Sequence, residues 1–250
     1  MSEYKELPIY EIERSEKRWQ ELLDAIKKGD AGAIRMIIAT PGMYILNRMY
    51  RDPNDSTPFS GVTTLMLAVE GGHADCAQAL IDGVKADKRH IFPFEKWLNK
   101  KSDRKSDNMR GVGETALEMA IKNGDVDCAR VLIKAGADIN TQDIGSVGAD
   151  KRTPLSYAAD QNQPEIVKLL LAAGAQRGRG DQAVFTEKPW LTGAEMERYA
   201  ECGKLLSEAA EGRGPRPEDV GLPAAAPEAR RNPIQALAEG IRNIKTARRE

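Results

Sequence analysis

Histidine occurs twice in the 250 residues, cysteine three times, and aromatic side chains make up 5% of the chain. Each scarcity excludes something. Two histidines leave little for a Ser-His or Cys-His arrangement, which needs a base beside its nucleophile. Cys76, Cys128 and Cys202 are an odd, widely spaced set with no CxxC pair, against both a disulfide framework and a zinc knuckle, so a reducing compartment is the default. Few rings argue for helices packed through Ala, Leu, Ile and Met rather than for a β-sandwich. No stretch approaches the roughly 18 apolar residues of a membrane span. The opening MSEYKELPIYEIERSEKRW has scattered acidic residues and no apolar centre, so it does not read as a signal peptide. A cytoplasmic location is expected, with export by a route that needs no N-terminal signal left open.

Charge of one sign is also missing. The 37 basic and 38 acidic residues give a net charge of -1, so no global field draws the chain to nucleic acid or to an anionic membrane. No GxxxxGK[ST], no GxGxxG after a strand and no HExxH is present. Asp52, Asn54 and Ser56 are spaced as in a calcium loop, but Thr57 and Thr63 stand where such a loop needs Gly and Glu, leaving turn chemistry. No catalytic residue, cofactor site or metal ligand is therefore assigned, and the expectation is a non-enzyme.

What is present is repetition. Residues 63–81 read TTLMLAVEGGHADCAQALI, residues 115–133 read TALEMAIKNGDVDCARVLI, and residues 153–171 read TPLSYAADQNQPEIVKLLL. In the third copy Thr153 precedes Pro154, a helix start in which the Thr caps and the missing Pro N–H costs nothing. The short helix then meets Asn162, in the slot that holds Gly72 and Gly124, and these residue types tolerate the left-handed backbone that ends a helix. A second helix follows, burying Ile166, Leu169 and Leu170, with Cys76, Ala79 and Leu80 or Cys128, Val131 and Leu132 in the matching places. The two cysteines thus read as small buried hydrophobes. A Gly stop and an extended polar run, AGADINTQD in the second copy, lead to the next Thr.

On these residues the chain closely resembles the ankyrin repeat. Thr153-Pro154-Leu155, Glu165-Ile166-Val167 and Gly174-Ala175 match the family pattern, and His73 occupies its glycine-histidine turn. The resemblance covers residues 63–176 well and 20–38 and 190–212 more loosely. It implies an all-α solenoid of helix-turn-helix units joined by hairpin loops, with about five repeats over residues 18–211. Residues 22–38 should form the first repeat and 194–211 a closing helix pair, diverged because end repeats need a polar outer face. The histidine that ties neighbouring loops in the family is replaced by Met66, Glu118 and Ser156, so that tie does not carry over.

The repeat also exposes what does not fit it. From Thr63 to Thr115 is 52 residues and from Thr115 to Thr153 is 38, against a family period of about 33. An insertion at 84–110 holds nine basic and four acidic residues with Phe92, Phe94 and Trp97. Two readings stay open, a partner-binding finger with aromatic anchors and a cover that packs FPFEKWL onto apolar surface. Because it lies outside the repeat, removing residues 88–108 should leave a folded helical chain. Residues 1–17 read as an extension, and 212–231 as a mobile Pro-, Ala- and Gly-rich linker. In 232–250, Ile234, Leu237, Ile241 and Ile244 line a basic amphipathic helix.

The resemblance implies binding of a partner protein on the concave face, at positions just before each capping Thr and each turn. There the candidates are Phe59, Val62, Glu70, Glu114, Lys122, Asn123, Asp150, Arg152, Asp160 and Gln161, with Phe92, Phe94 and Trp97 from the insertion. Their mixed charge suits a protein better than nucleic acid. A targeting or regulatory subunit held on nucleic acid or an anionic membrane is the alternative, the membrane being reached only through the C-terminal helix. A bacterial effector acting on host proteins is a third reading. A monomer is expected.

Overall fold

A computed structural model describes residues 9–39, 49–50, 61–86, 93–102, 113–141, 153–176 and 192–223. Ten helices are found among them, α1 (Ile9–Lys28), α2 (Ala31–Ala39), α3 (Thr64–Glu70), α4 (Ala74–Ala86), α5 (Phe94–Leu98), α6 (Ala116–Asn123), α7 (Val126–Ala135), α8 (Pro154–Asp160), α9 (Pro164–Ala172) and α10 (Gly193–Ala210). None is long and apolar enough to cross a membrane. The departure from helix is small: β1 (Met49–Tyr50) pairs antiparallel with β2 (Val62–Thr63), Met49 opposite Thr63.

The three capping threonines act as their sequence position predicts. Thr63, Thr115 and Thr153 accept through Oγ1 from the backbone N–H of Met66, Glu118 and Ser156 at 3.1, 3.2 and 3.2 Å. Each such cap stabilises its helix by about 1 kcal/mol. The residue ending each first helix is left-handed in every unit, with φ of 72° at Gly29, 69° at Gly72, 68° at Gly124 and 61° at Asn162. A non-glycine there is tolerated because Asn is among the few residue types that visit this region readily.

These repeated starts and stops place the helices in two layers. First helices α1, α3, α6 and α8 pack side by side, and second helices α2, α4, α7 and α9 form a layer behind them. The buried core runs continuously between the layers through Leu22, Ile26, Ile34, Leu65, Leu80, Ile121, Leu132, Leu155 and Leu170. Cys76, Cys128 and Cys202 are free and buried in it.

Three features differ from the sequence expectation. Helix α1 begins at Ile9, inside the supposed extension, and runs without a break into the first repeat. Residues 194–211 form no pair: α10 is one helix, because Gly203 keeps helical backbone instead of turning the chain. The segment expected to be mobile after residue 212 folds back as a 3-10 turn, Pro217–Val220, and buries Pro217, Val220 and Leu222. Of the two readings left open for the insertion, cover is the one that fits α5, since Trp97 and Leu98 join the core at 3% and 2% exposure. The proposed tail helix at 232–250 lies outside the described residues.

Candidate functional site

Two residues before each left-handed turn residue stand Lys27, Glu70, Lys122 and Asp160. Since the first helices lie side by side, these four form a row along one layer, alternating in charge from unit to unit. Glu70 and Lys122 are exposed, as are Asn123 and Gln161 next to the turns, and Asp160 is half-buried. Three residues earlier, on the same helical face, come Leu67, Met119 and Tyr157. Leu67 and Tyr157 are half-buried and Met119 is 8% exposed, so a narrow apolar strip borders the charged row.

Of the residues singled out from the sequence, the fold brings Glu70, Lys122, Asn123, Asp160 and Gln161 together on this strip. Glu114 is near it but engaged: its carboxylate meets Lys122 Nζ at 2.5 Å, its N–H donates to Ser102 Oγ at 3.0 Å, and its carbonyl accepts from Ser102 N–H at 2.9 Å. Val62 is withdrawn from the surface set. It lies in β2 with no exposed area, because its side chain joins the core beside the capping Thr63. Trp97 is withdrawn for the same reason, its indole buried in the core. Phe94 is half-buried, stacked on Trp97 with ring centroids 6.0 Å apart and with Lys85 Nζ 4.9 Å from its own centroid. Phe59, Phe92, Asp150 and Arg152 lie outside the described residues.

Sequence reasoning missed Leu67, Met119 and Tyr157. A signal existed: each is the fourth residue after a capping Thr, one place beyond the missing family histidine. It is a weak signal, because an apolar letter inside an apolar run reads as core.

Behind this face, two sets of contacts hold the units in register. Asp138 N–H donates to Asn99 Oδ1 at 2.8 Å, and Gln176 N–H donates to Asn140 Oδ1 at 2.9 Å, so an Asn reaches into the following loop in consecutive units. Asn99, at the end of α5, thus does for the first full copy what Asn140 does for the second. Glu118 also restores a loop tie where none was carried over. Its carboxylate, 2% exposed, accepts from Thr115 N–H at 3.0 Å and from the Thr141 hydroxyl at 2.9 Å. Burial pushes the Glu118 carboxyl above its usual range, against the lowering pull of these two hydrogen bonds. In the other copies Met66 and Ser156 close the local cap.

The second set lies at the turns. The His73 imidazole covers Gly29, where an added Cβ would come within 2.9 Å of Nδ1, and the Gln163 amide lies 3.4 Å from the same point on Gly124. His73 is therefore a spacer between units, as its turn position implied. Nor do the thiols offer a nucleophile. Burial raises Cys76, with Asp75 adding to it; burial and the neighbouring Asp125 raise Cys128; burial and Glu201 push Cys202 up to about 11. All three are therefore protonated at neutral pH, whereas reaction requires the thiolate. Among the described residues no group of three or more His, Cys, Asp or Glu could hold a metal ion.

Comparison with known sequences agrees with this architecture. Models of ankyrin repeats match residues 22–143 and 117–171. The chain is similar to the B-cell lymphoma 3 protein homolog of Mus musculus, 32% identical over 115 residues that make up 46% of this chain and 21% of that one. It is 40% identical to myotrophin of Xenopus tropicalis over 26% of this chain and 50% of that protein. With protein phosphatase 1 regulatory subunit 27 of Mus musculus the identity is 34%, over 28% of this chain and 43% of the other. The chain spans half or less of the length of each of these relatives.

Proposed function

The chain belongs to the ankyrin-repeat family, and we propose that it is a non-enzymatic adaptor that binds a partner protein on the face formed by its first helices. The observation that carries this reading is the strip of Leu67, Met119 and Tyr157 bordered by Lys27, Glu70, Lys122 and Asp160. An apolar centre with a charged border is the arrangement of a protein interface. Alternation of sign speaks against a phosphate backbone, which would meet Glu70 and Asp160 as often as Lys27 and Lys122. That one similar protein is named a regulatory subunit supports the class of role and no particular partner.

Capture of partners on the full chain, compared with the Leu67→Asp and Tyr157→Ala variants, tests the reading. A partner retained by the wild type should be lost from both variants while their helical content stays unchanged. Its binding should also weaken little between low and high salt. Steep loss of binding with salt, untouched by the two substitutions, would instead favour nucleic acid or an anionic membrane as the ligand.

A further inference from the structure

Every complete unit of the stack contributes a second helix to the outer layer, and each of these is flanked by the next. The last unit does not. It consists of α10 alone, which packs chiefly along α9 and more lightly on α8, burying Cys202 and Leu206, and among the described residues no separate second helix follows it. The chain instead reverses after α10 through Gly212, at φ 75°, and lays residues 213–223 back along α9.

This returning segment holds its own shape. Arg213 N–H donates to the Glu208 carbonyl at 2.8 Å, Arg216 N–H to Asp219 Oδ2 at 2.9 Å, and Leu222 N–H to the Pro217 carbonyl at 2.9 Å. Gly221, at φ 66°, closes the turn. Its hold on the stack is of a different kind. Pro217, Val220 and Leu222 bury their side chains, Glu218 and Asp219 face solvent, and the Val220 carbonyl accepts from Arg130 Nη1 at 2.5 Å. Arg130 belongs to α7, ninety residues earlier, one unit before the helix that the turn covers. A self-contained turn inserts apolar side chains at i, i+3 and i+5 and offers one carbonyl to an arginine. That is how a short peptide binds a groove, with main-chain recognition and pockets for a few side chains.

We propose that the outer surface of α9 and Arg130 form a peptide-binding groove whose resident ligand is the chain's own segment 213–223. The ligand class is a turn-forming peptide of the pattern Pro-x-x-Val-x-Leu, with polar or acidic residues at the x positions that face solvent. Because the segment is preorganised and joined to α10 through Gly212, Gly214 and Pro215, it occupies the groove at high effective concentration and excludes ligands in trans. This site is separate from the face of the first helices and stands or falls independently of it.

The test uses the full chain with Val220→Asp and Leu222→Asp, which displaces the resident segment, and a fluorescent peptide RGPRPEDVGLP. The peptide should bind the displaced chain at least about tenfold more tightly than the wild type, whose groove is filled, since one lost competitor of this kind is a factor of that order. Adding Arg130→Ala to the displaced chain should remove most of that gain, and a peptide carrying Asp in place of its Val should not bind. Equal or absent binding to wild type and displaced chain, both with native helical content, overturns the proposal. Should the double substitution unfold the chain, hydrogen exchange of Arg130→Met decides: amides of α9 should exchange about tenfold faster as the segment loosens, and unchanged exchange overturns it.

Discussion

Glu118 holds a buried carboxylate in the slot where the family places a histidine, and its two hydrogen bonds join the start of α6 to the loop at Thr141. Its carboxyl is raised, mainly by burial, so the folded state favours the neutral form more than the unfolded chain does. The stability this contributes is full at acidic pH and is lost as pH rises through the folded-state value. Glu118→Gln keeps the shape without the charge. The melting temperature of the variant relative to wild type should therefore rise between about pH 4 and about pH 7, and a flat or falling difference would sink this account. Glu118→Ala, leaving Thr115 N–H and the Thr141 hydroxyl without this acceptor, should cost about 1–3 kcal/mol by chemical denaturation. Glycines separate by what surrounds them. A Cβ on Gly113 would stand 1.6 Å from the Ser102 carbonyl oxygen, whereas one on Gly136, at φ 95°, meets nothing. Gly136→Ala should cost about 1–2 kcal/mol of backbone strain alone, and Gly113→Ala distinctly more, because the backbone pairing of Ser102 with Glu114 must open; equal costs would contradict the geometry.

At the scale of the element, α5 changes most between sequence and structure. The insertion that contains it looked dispensable because it lies outside the repeat, yet Trp97 and Leu98 are buried and Asn99 ties the following loop at Asp138. Trp97→Ala should destabilise by about 3–5 kcal/mol, and Asn99→Ala by about 1 kcal/mol. Removing residues 88–108, expected from the repeat alone to be harmless, should now lower the midpoint of denaturant unfolding at least as far as Trp97→Ala. An unchanged midpoint after that deletion would mean that α5 adds nothing to the core. Periodicity could not show this, since a helix of five residues is too short to display a period and owes its stability to what it packs against.

Over the whole molecule, units contact their neighbours, so stability should be distributed along the stack rather than shared equally. The inner helices α4, α6 and α7 are packed on both sides by other units, while the first half of α10, residues 193–200, is exposed apart from a half-buried Tyr199. Native-state hydrogen exchange should be slowest in α4, α6 and α7 and fastest in α10, and uniform protection would contradict a stack held by nearest neighbours. The amino-acid sequence by itself determined the unit and its repetition: Thr caps, left-handed Gly or Asn, apolar positions at helical spacing and the buried cysteines are local signals whose cause lies within a few residues. Only the tertiary structure decided which residues outside the pattern belong to the fold. Trp97, the single helix α10, the returning segment at Pro217–Leu222 and the Arg130 bond to Val220 depend on which surface the stack leaves uncovered. That surface exists only once the units are side by side, so no short window of sequence contains it.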